Sequence, residues 1–185
     1  GTEALKTATN AVRGGKKPHF AKALLEAYAS IATDENLESA FRALCLAVPS
    51  EGDVAREIGQ NVDPDAIHGA REALIGAIAE TNGPALERLY ASLPSGGKFA
   101  PDAAAAGNRA LRNTLLDYLG IVDGKPGRAA KSFAMADNMT DRLAAFSILV
   151  NRFGGSGETN DAIAAFEKRH GKDALVMDKW FMVQA

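Results

Sequence analysis

The stretch Ile67-His-Gly-Ala-Arg-Glu-Ala-Leu-Ile-Gly-Ala-Ile78 carries its large apolar side chains at Ile67, Leu74, Ile75 and Ile78. That spacing puts all four on one face of a helix, whereas a strand would divide them between two faces. Downstream, Leu86, Leu89, Tyr90 and Leu93 repeat it, then Leu111, Leu115, Tyr118 and Leu119, then Leu143, Phe146, Val150 and Phe153. Upstream, Phe20, Leu24, Tyr28 and Ile31 make one stripe, and Leu37, Phe41, Leu44 and Val48 another. Alanine, the strongest helix former, supplies about a fifth of the residues. No segment alternates β-branched with polar residues over a strand's length. The pattern predicts an all-α chain of about ten helices, each of roughly 10 to 19 residues.

The punctuation divides these stripes. Ser50-Glu-Gly-Asp53 has the form of a capping box, and Asp63-Pro64 offers an N-cap followed by proline at the first helical position. Asn138 or Thr140 is positioned to cap the helix that runs to Phe153. Stops are expected at Gly83-Pro84, Pro94-Ser-Gly-Gly97, Gly124-Lys-Pro-Gly127 and Gly154-Gly-Ser-Gly157. Links this short favour antiparallel neighbours, hence αα-hairpins stacked side by side. With no strict repeat in the sequence, the expectation is a degenerate superhelix of the armadillo or HEAT type, residues 1–185 forming one helical-repeat domain or a fragment of one.

Net charge is −2 and 24% of residues are charged. The densest basic cluster, Arg13 to Lys17, holds three cations, too few for a phosphate-binding surface, so nucleic acid is not an expected partner. No apolar run approaches the ~20 residues that span a bilayer, and the N-terminus lacks the pattern of a signal peptide. The single cysteine, Cys45, lies among apolar neighbours and reads as a small buried hydrophobe. These features suit a cytoplasmic protein.

A catalytic constellation is not legible. The three histidines, His19, His68 and His170, are not in an H-E-x-x-H arrangement. His68 and Glu72 share a helical face, but two ligands make no metal site. His170 in Glu167-Lys-Arg-His-Gly171 reads as a basic residue finishing a helix, and His19 as exposed. Ser156 lies in a glycine-rich link, not a strand-to-helix elbow. Asp63 and Asp65 are explained as helix-start residues beside Pro64. The last nine residues hold five large apolar side chains with no stop signal, which predicts further helices beyond them.

Three segments carry a resemblance. Asp137-Asn-Met-Thr-Asp-Arg-Leu-Ala-Ala-Phe-Ser147 resembles the A-[DN]-N-M-T-D-x-L-A-A-L stretch of bacterial aminopeptidase N. Leu175-Val-Met-Asp-Lys-Trp-Phe-Met-Val-Gln-Ala185 is similar to that family's L-V-M-D-K-W-F-x-[LV]-Q-A, in the same order. Phe41-Arg-Ala-Leu-Cys-Leu-Ala-Val-Pro-Ser-Glu51 is similar to its A-x-x-L-x-L-P-S-E. Arg71-Glu-Ala-Leu74 and Arg109-Ala-Leu-Arg-Asn113 also have counterparts.

The resemblance implies a multidomain zinc metalloaminopeptidase that removes N-terminal residues from peptides. Its H-E-x-x-H and G-A-M-E-N motifs do not occur in this chain, which corresponds to the first part of the C-terminal helical domain. The implied partners are the catalytic domain of the same polypeptide and peptides passing its cavity. Zinc belongs to the parent enzyme, with no cofactor in this chain, and the chain alone is expected to be inactive. Asn138, Asp141, Asp178 and Lys179 are candidates to line the channel or the interface with the catalytic domain. For Asn138 and Asp141 helix capping competes with that role; for Asp178 and Lys179, ordinary solvent exposure does. Trp180 and Phe181 read as core between successive helix pairs. The alternative function is a free-standing helical-repeat scaffold gripping a partner peptide or protein.

Overall fold

A computed structural model of the chain describes residues 1–95 and 99–185. Ten helices are present among them: α1 Thr2–Arg13, α2 Lys22–Thr33, α3 Ser39–Leu46, α4 Glu51–Ile58, α5 Pro64–Ser92, α6 Ala103–Asp123, α7 Gly127–Met135, α8 Met139–Phe153, α9 Gly157–His170 and α10 Ala174–Gln184. There is no strand among the described residues.

Local chemistry explains most helix ends. Ser50 and Asp53 close a reciprocal capping box on α4, and the Asp63 carboxylate accepts from the Ala66 amide with Pro64 opening α5. Asp102, Asn138, Ser156 and Asp173 cap α6, α8, α9 and α10 in the same way. Asn138, not Thr140, is thus the α8 cap. Gly124 ends α6 in the left-handed region at φ 61°, a conformation only glycine adopts freely. The stop expected at Pro94-Ser-Gly-Gly97 is met in part: α5 ends at Ser92, while residues 96–98 lie outside those described.

Arginines close other helix ends from a distance. Arg42 donates to the Ile31 and Ala32 carbonyls at the end of α2, and Arg112 to Tyr90 and Leu93 at the end of α5. Arg142 donates to Ala136 just past α7. Each satisfies carbonyls that have no partner within their own helix.

Two helices organise the core. α5 packs against α1, α2, α4 and α6, and α8 against α6, α7, α9 and α10. Leu74, Ile78 and Leu86 of α5, Leu111, Leu115 and Leu119 of α6, and Phe146 of α8 are wholly buried in one continuous apolar cluster. Phe146 stacks on Phe166 of α9 with centroids 4.9 Å apart.

Four expectations need correction. The Gly83-Pro84 stop does not exist: α5 runs 29 residues through it. Proline removes the hydrogen bond to the carbonyl of Glu80, but Glu80 and Pro84 both face solvent, where water replaces it. Helix lengths therefore range from 8 to 29 residues. Second, the Leu37, Phe41, Leu44, Val48 stripe is split: Phe41 and Leu44 face outward, while Leu37 is half-buried and Val48 packs partly buried against the core. α3 buries Arg42, Ala43 and Leu46 instead, leaving Phe41 52% and Leu44 76% exposed. Cys45, on the same short helix, is only half-buried.

Third, consecutive helices are not all hairpin partners. Among the described residues α1 packs on α4 and α5, not on α2, and α3 packs on α6 and α2, not on α4. Fourth, Trp180 is partly buried and donates from Nε1 to the Ile163 carbonyl, but Phe181 is 61% exposed. Only one of that pair joins the core. α10 contributes no fully buried residue and exposes Leu175 and Met182 as well.

Candidate functional site

α8 supplies the residues around which two polar groupings form. At its start, the Asn138 side chain accepts from the Asp141 amide at 3.0 Å and donates to the Asp141 carboxylate at 2.8 Å. Asn113 of α6 donates to the other carboxylate oxygen at 2.9 Å. Asn138 and Asp141 are therefore tied into a half-buried clamp between α6 and α8. Asp178 and Lys179 lie elsewhere, on the solvent face of α10. Among the described residues no hydrogen bond or ion pair joins the two pairs.

The second grouping lies at the far end of α8. Arg152 donates to both carboxylate oxygens of Asp117 on α6 and, at 2.8 Å, to Glu72 on α5. Beside it, Arg71 donates to the Pro49 carbonyl at 2.6 Å and lies 3.6 Å from Glu51, which also meets His68 Nδ1 at 2.9 Å. These groups line a cleft of about 500 Å³ between α4, α5, α6 and α8, together with Ile75, Ser147 and Asn151. The paired carboxylates hold the Arg152 guanidinium protonated against the cost of its burial. A smaller cavity of about 210 Å³ adjoins it, sharing Arg71, Ile75 and Asp117. There the Tyr118 hydroxyl donates to the Leu46 carbonyl at 2.6 Å, and burial pushes its pKa well above the usual phenol range.

The pairing weighed from sequence, His68 with Glu72, is not made. Glu72 turns to Arg152 and His68 to Glu51. The Arg152 cluster had no signature in the sequence because its members come from segments up to 80 residues apart. His170 does finish α9, as expected of a basic residue before a glycine, but its surroundings go beyond that role. It packs against the Phe166 ring, its Nε2 is buried without a partner, and desolvation, with Arg142 and Arg169 nearby, lowers its pKa. His19 is exposed as expected.

Among the described residues no group of three or more His, Cys, Asp or Glu side chains stands close enough to hold a metal ion. Among them, too, no helix is long and apolar enough to cross a membrane. The clusters fix helices to one another through hydrogen bonds and ion pairs, and among the described residues neither sets a nucleophile beside a base.

Comparison with known proteins places this architecture. Residues 2–185 match the family described as a domain of unknown function (DUF3458_C) with ARM repeats. Aminopeptidase N of Caulobacter vibrioides is 39% identical over 153 residues, covering 82% of this chain and 17% of that protein. Aminopeptidase N of Escherichia coli is 32% identical over 164 residues, covering 86% and 18%. The chain thus spans under a fifth of the length of these relatives. A crystal structure of Legionella pneumophila aminopeptidase A in complex with aspartic acid superimposes with a TM-score of 0.80 at 21% identity. That alignment covers 99% of this chain and 22% of the other, and shows the shared fold.

Proposed function

Since this chain belongs to the DUF3458_C ARM-repeat family and corresponds to the C-terminal helical region of aminopeptidase N, we propose that it is a non-catalytic wall of a zinc-dependent aminopeptidase. In this reading residues 1–185 are part of the C-terminal domain of a larger multidomain enzyme that removes N-terminal residues from peptides. The helical array closes over the active-site cavity, limits access to peptides and excludes water. In this reading the zinc is held by the catalytic domain and no step of the reaction is assigned to this chain.

The observation that carries this reading is the contrast between the polar clusters on α8 and the outer surface of α10. The polar clusters on α8 are taken up in hydrogen bonds and ion pairs, while α10 presents Leu175, Phe181 and Met182 at 61–78% exposure beside Asp178 and Lys179, which make no ion pair among the described residues. An apolar face of this kind on a repeat array is suited to contact with further protein, here other parts of the same polypeptide. Asp178 and Lys179 are the better candidates for the channel or domain interface. Asn138 and Asp141 are placed to hold α8 against α6 beneath it.

The test is Asp178→Lys in the full-length enzyme. We expect a severalfold change in kcat/KM for peptides of four or more residues, or a lowered Tm, with little change for a single aminoacyl anilide. Peptide kinetics and Tm both equal to wild type would remove Asp178 from the interface.

A further inference from the structure

A groove of about 620 Å³ opens between α7, α8 and α9, within the size range of small-molecule sites. Its walls are apolar and low: Phe133 on α7, with Ala162 and Ala165 on α9. Arg142 of α8 lines it while being only 7% exposed. Among the described residues this guanidinium makes one hydrogen bond, from Nη2 to the Ala136 carbonyl, and no carboxylate lies within ion-pair distance of it. Arg152, by contrast, is matched by two carboxylates. A guanidinium has five N–H donors and stays charged, and Nε and Nη1, which make no hydrogen bond among the described residues, are not sealed from solvent and open to the groove without a counter-ion.

Two more cations, Lys168 and Arg169, stand on the same groove, and neither is ion-paired among the described residues. Glu158 and Asp161 occupy the groove too, both exposed and nearer the start of α9. Charge is thereby separated along α9, acidic toward its N-terminus and basic toward its C-terminus beside Arg142. Asp137 influences Arg142 only from beyond ion-pair range, and the half-buried His170 imidazole adjoins the same basic end.

We propose that this groove binds a carboxylate borne on an apolar group, the carboxylate meeting Arg142 between Lys168 and Arg169 and the apolar part lying over Phe133, Ala162 and Ala165. Guanidinium and carboxylate match in a bidentate fork, which supplies the missing counter-ion, and the alanines leave room for a side chain or ring. Two sources carry this chemistry, a free organic acid and the C-terminal residue of a peptide with an apolar side chain. The site stands apart from the interface proposed for α10.

Titration of the 185-residue chain followed by amide chemical shifts tests this, with 3-phenylpropionate, its neutral amide, acetyl-Ala-Ala-Phe and acetyl-Ala-Ala-Phe-amide as probes. Saturable shifts on α7–α9 from either acid, with each amide at least tenfold weaker, are expected. Response to phenylpropionate identifies a free acid as sufficient, and response to the peptide acid alone identifies a C-terminal residue. Arg142→Met should weaken binding at least tenfold and Lys168→Ala/Arg169→Ala severalfold. Arg142 also closes α7, so Ala165→Phe, an exposed position that fills the groove, serves as the second variant and should abolish binding with the fold intact. Acid and amide binding equally, or no saturable shifts at millimolar probe, would overturn the proposal.

Discussion

Arg152 shows why single residues in this chain matter more to cohesion than to chemistry. It joins α8 to Asp117 on α6 and Glu72 on α5, and the two carboxylates keep part of their surface in water. Arg152→Met should therefore destabilise by about 1–2 kcal/mol, below the figure for a fully buried pair, read as a lower urea midpoint with unchanged m-value. His170 carries the clearest pH dependence. Its pKa in the fold lies below 6.5, chiefly from desolvation and secondarily from Arg142 and Arg169, with Asp173 opposing. The unfolded chain then takes up the proton first, so this contribution to stability is whole above 6.5 and is lost as the pH falls through 6.5 toward the folded value. His170→Leu should flatten the fall in Tm between about pH 7.5 and 5.5; an equally steep fall in the variant would assign it to other groups. Sequence had marked His170 as a residue beside a glycine stop. Its contact with Phe166 is a local i,i+4 contact on α9, whereas the partnerless burial of its Nε2 depends on packing and has no local signature.

At the scale of helices, caps and stripes were legible wherever the determinant is local. Ser50, Asp63 and Asn138 act on amides within three residues, and each performs the capping role its neighbours indicate. Two determinants were not local. Gly83-Pro84 looks like a stop, yet α5 is clamped on several sides, with Asn82 donating to the Leu25 carbonyl at 3.0 Å and Gly83 closely facing Val122, so packing overrides propensity. On α3 the longer apolar stripe lost to a shorter one. The helix crosses α6 at Gly107, where an added Cβ would sit 2.9 Å from the Ala40 amide nitrogen, and so close a crossing turns Ala43 and Leu46 inward. Gly107→Ala should force α3 and α6 apart and destabilise by about 1–3 kcal/mol, against the gain expected of alanine in a free helix. A variant at least as stable as wild type would show that the crossing is not tight.

Across the whole molecule, the all-α architecture and the resemblance to aminopeptidase N both followed from the sequence, and residues 2–185 match the ARM-repeat family throughout. Specific segments such as Leu175–Ala185 carried that resemblance, while the pairing of helices was less legible because short links do not force hairpins: α1 turns to α4 and α5. Lining a channel depends on elements that lie apart in sequence, so the role proposed for Asp178 and Lys179 has no signature within one helix. The proposed wall combines hydrogen-bonded and ion-paired polar clusters between its helices with exposed apolar side chains on α3 and α10. The central claim is that this wall does no chemistry of its own. The most direct test is zinc content, with hydrolysis of a chromogenic aminoacyl substrate by the purified 185-residue chain, with and without chelator. The account predicts no stoichiometric zinc and no turnover above buffer in either condition. Chelator-sensitive turnover that co-purifies with the chain would contradict it, and would make His68 and Glu72 the first residues to replace.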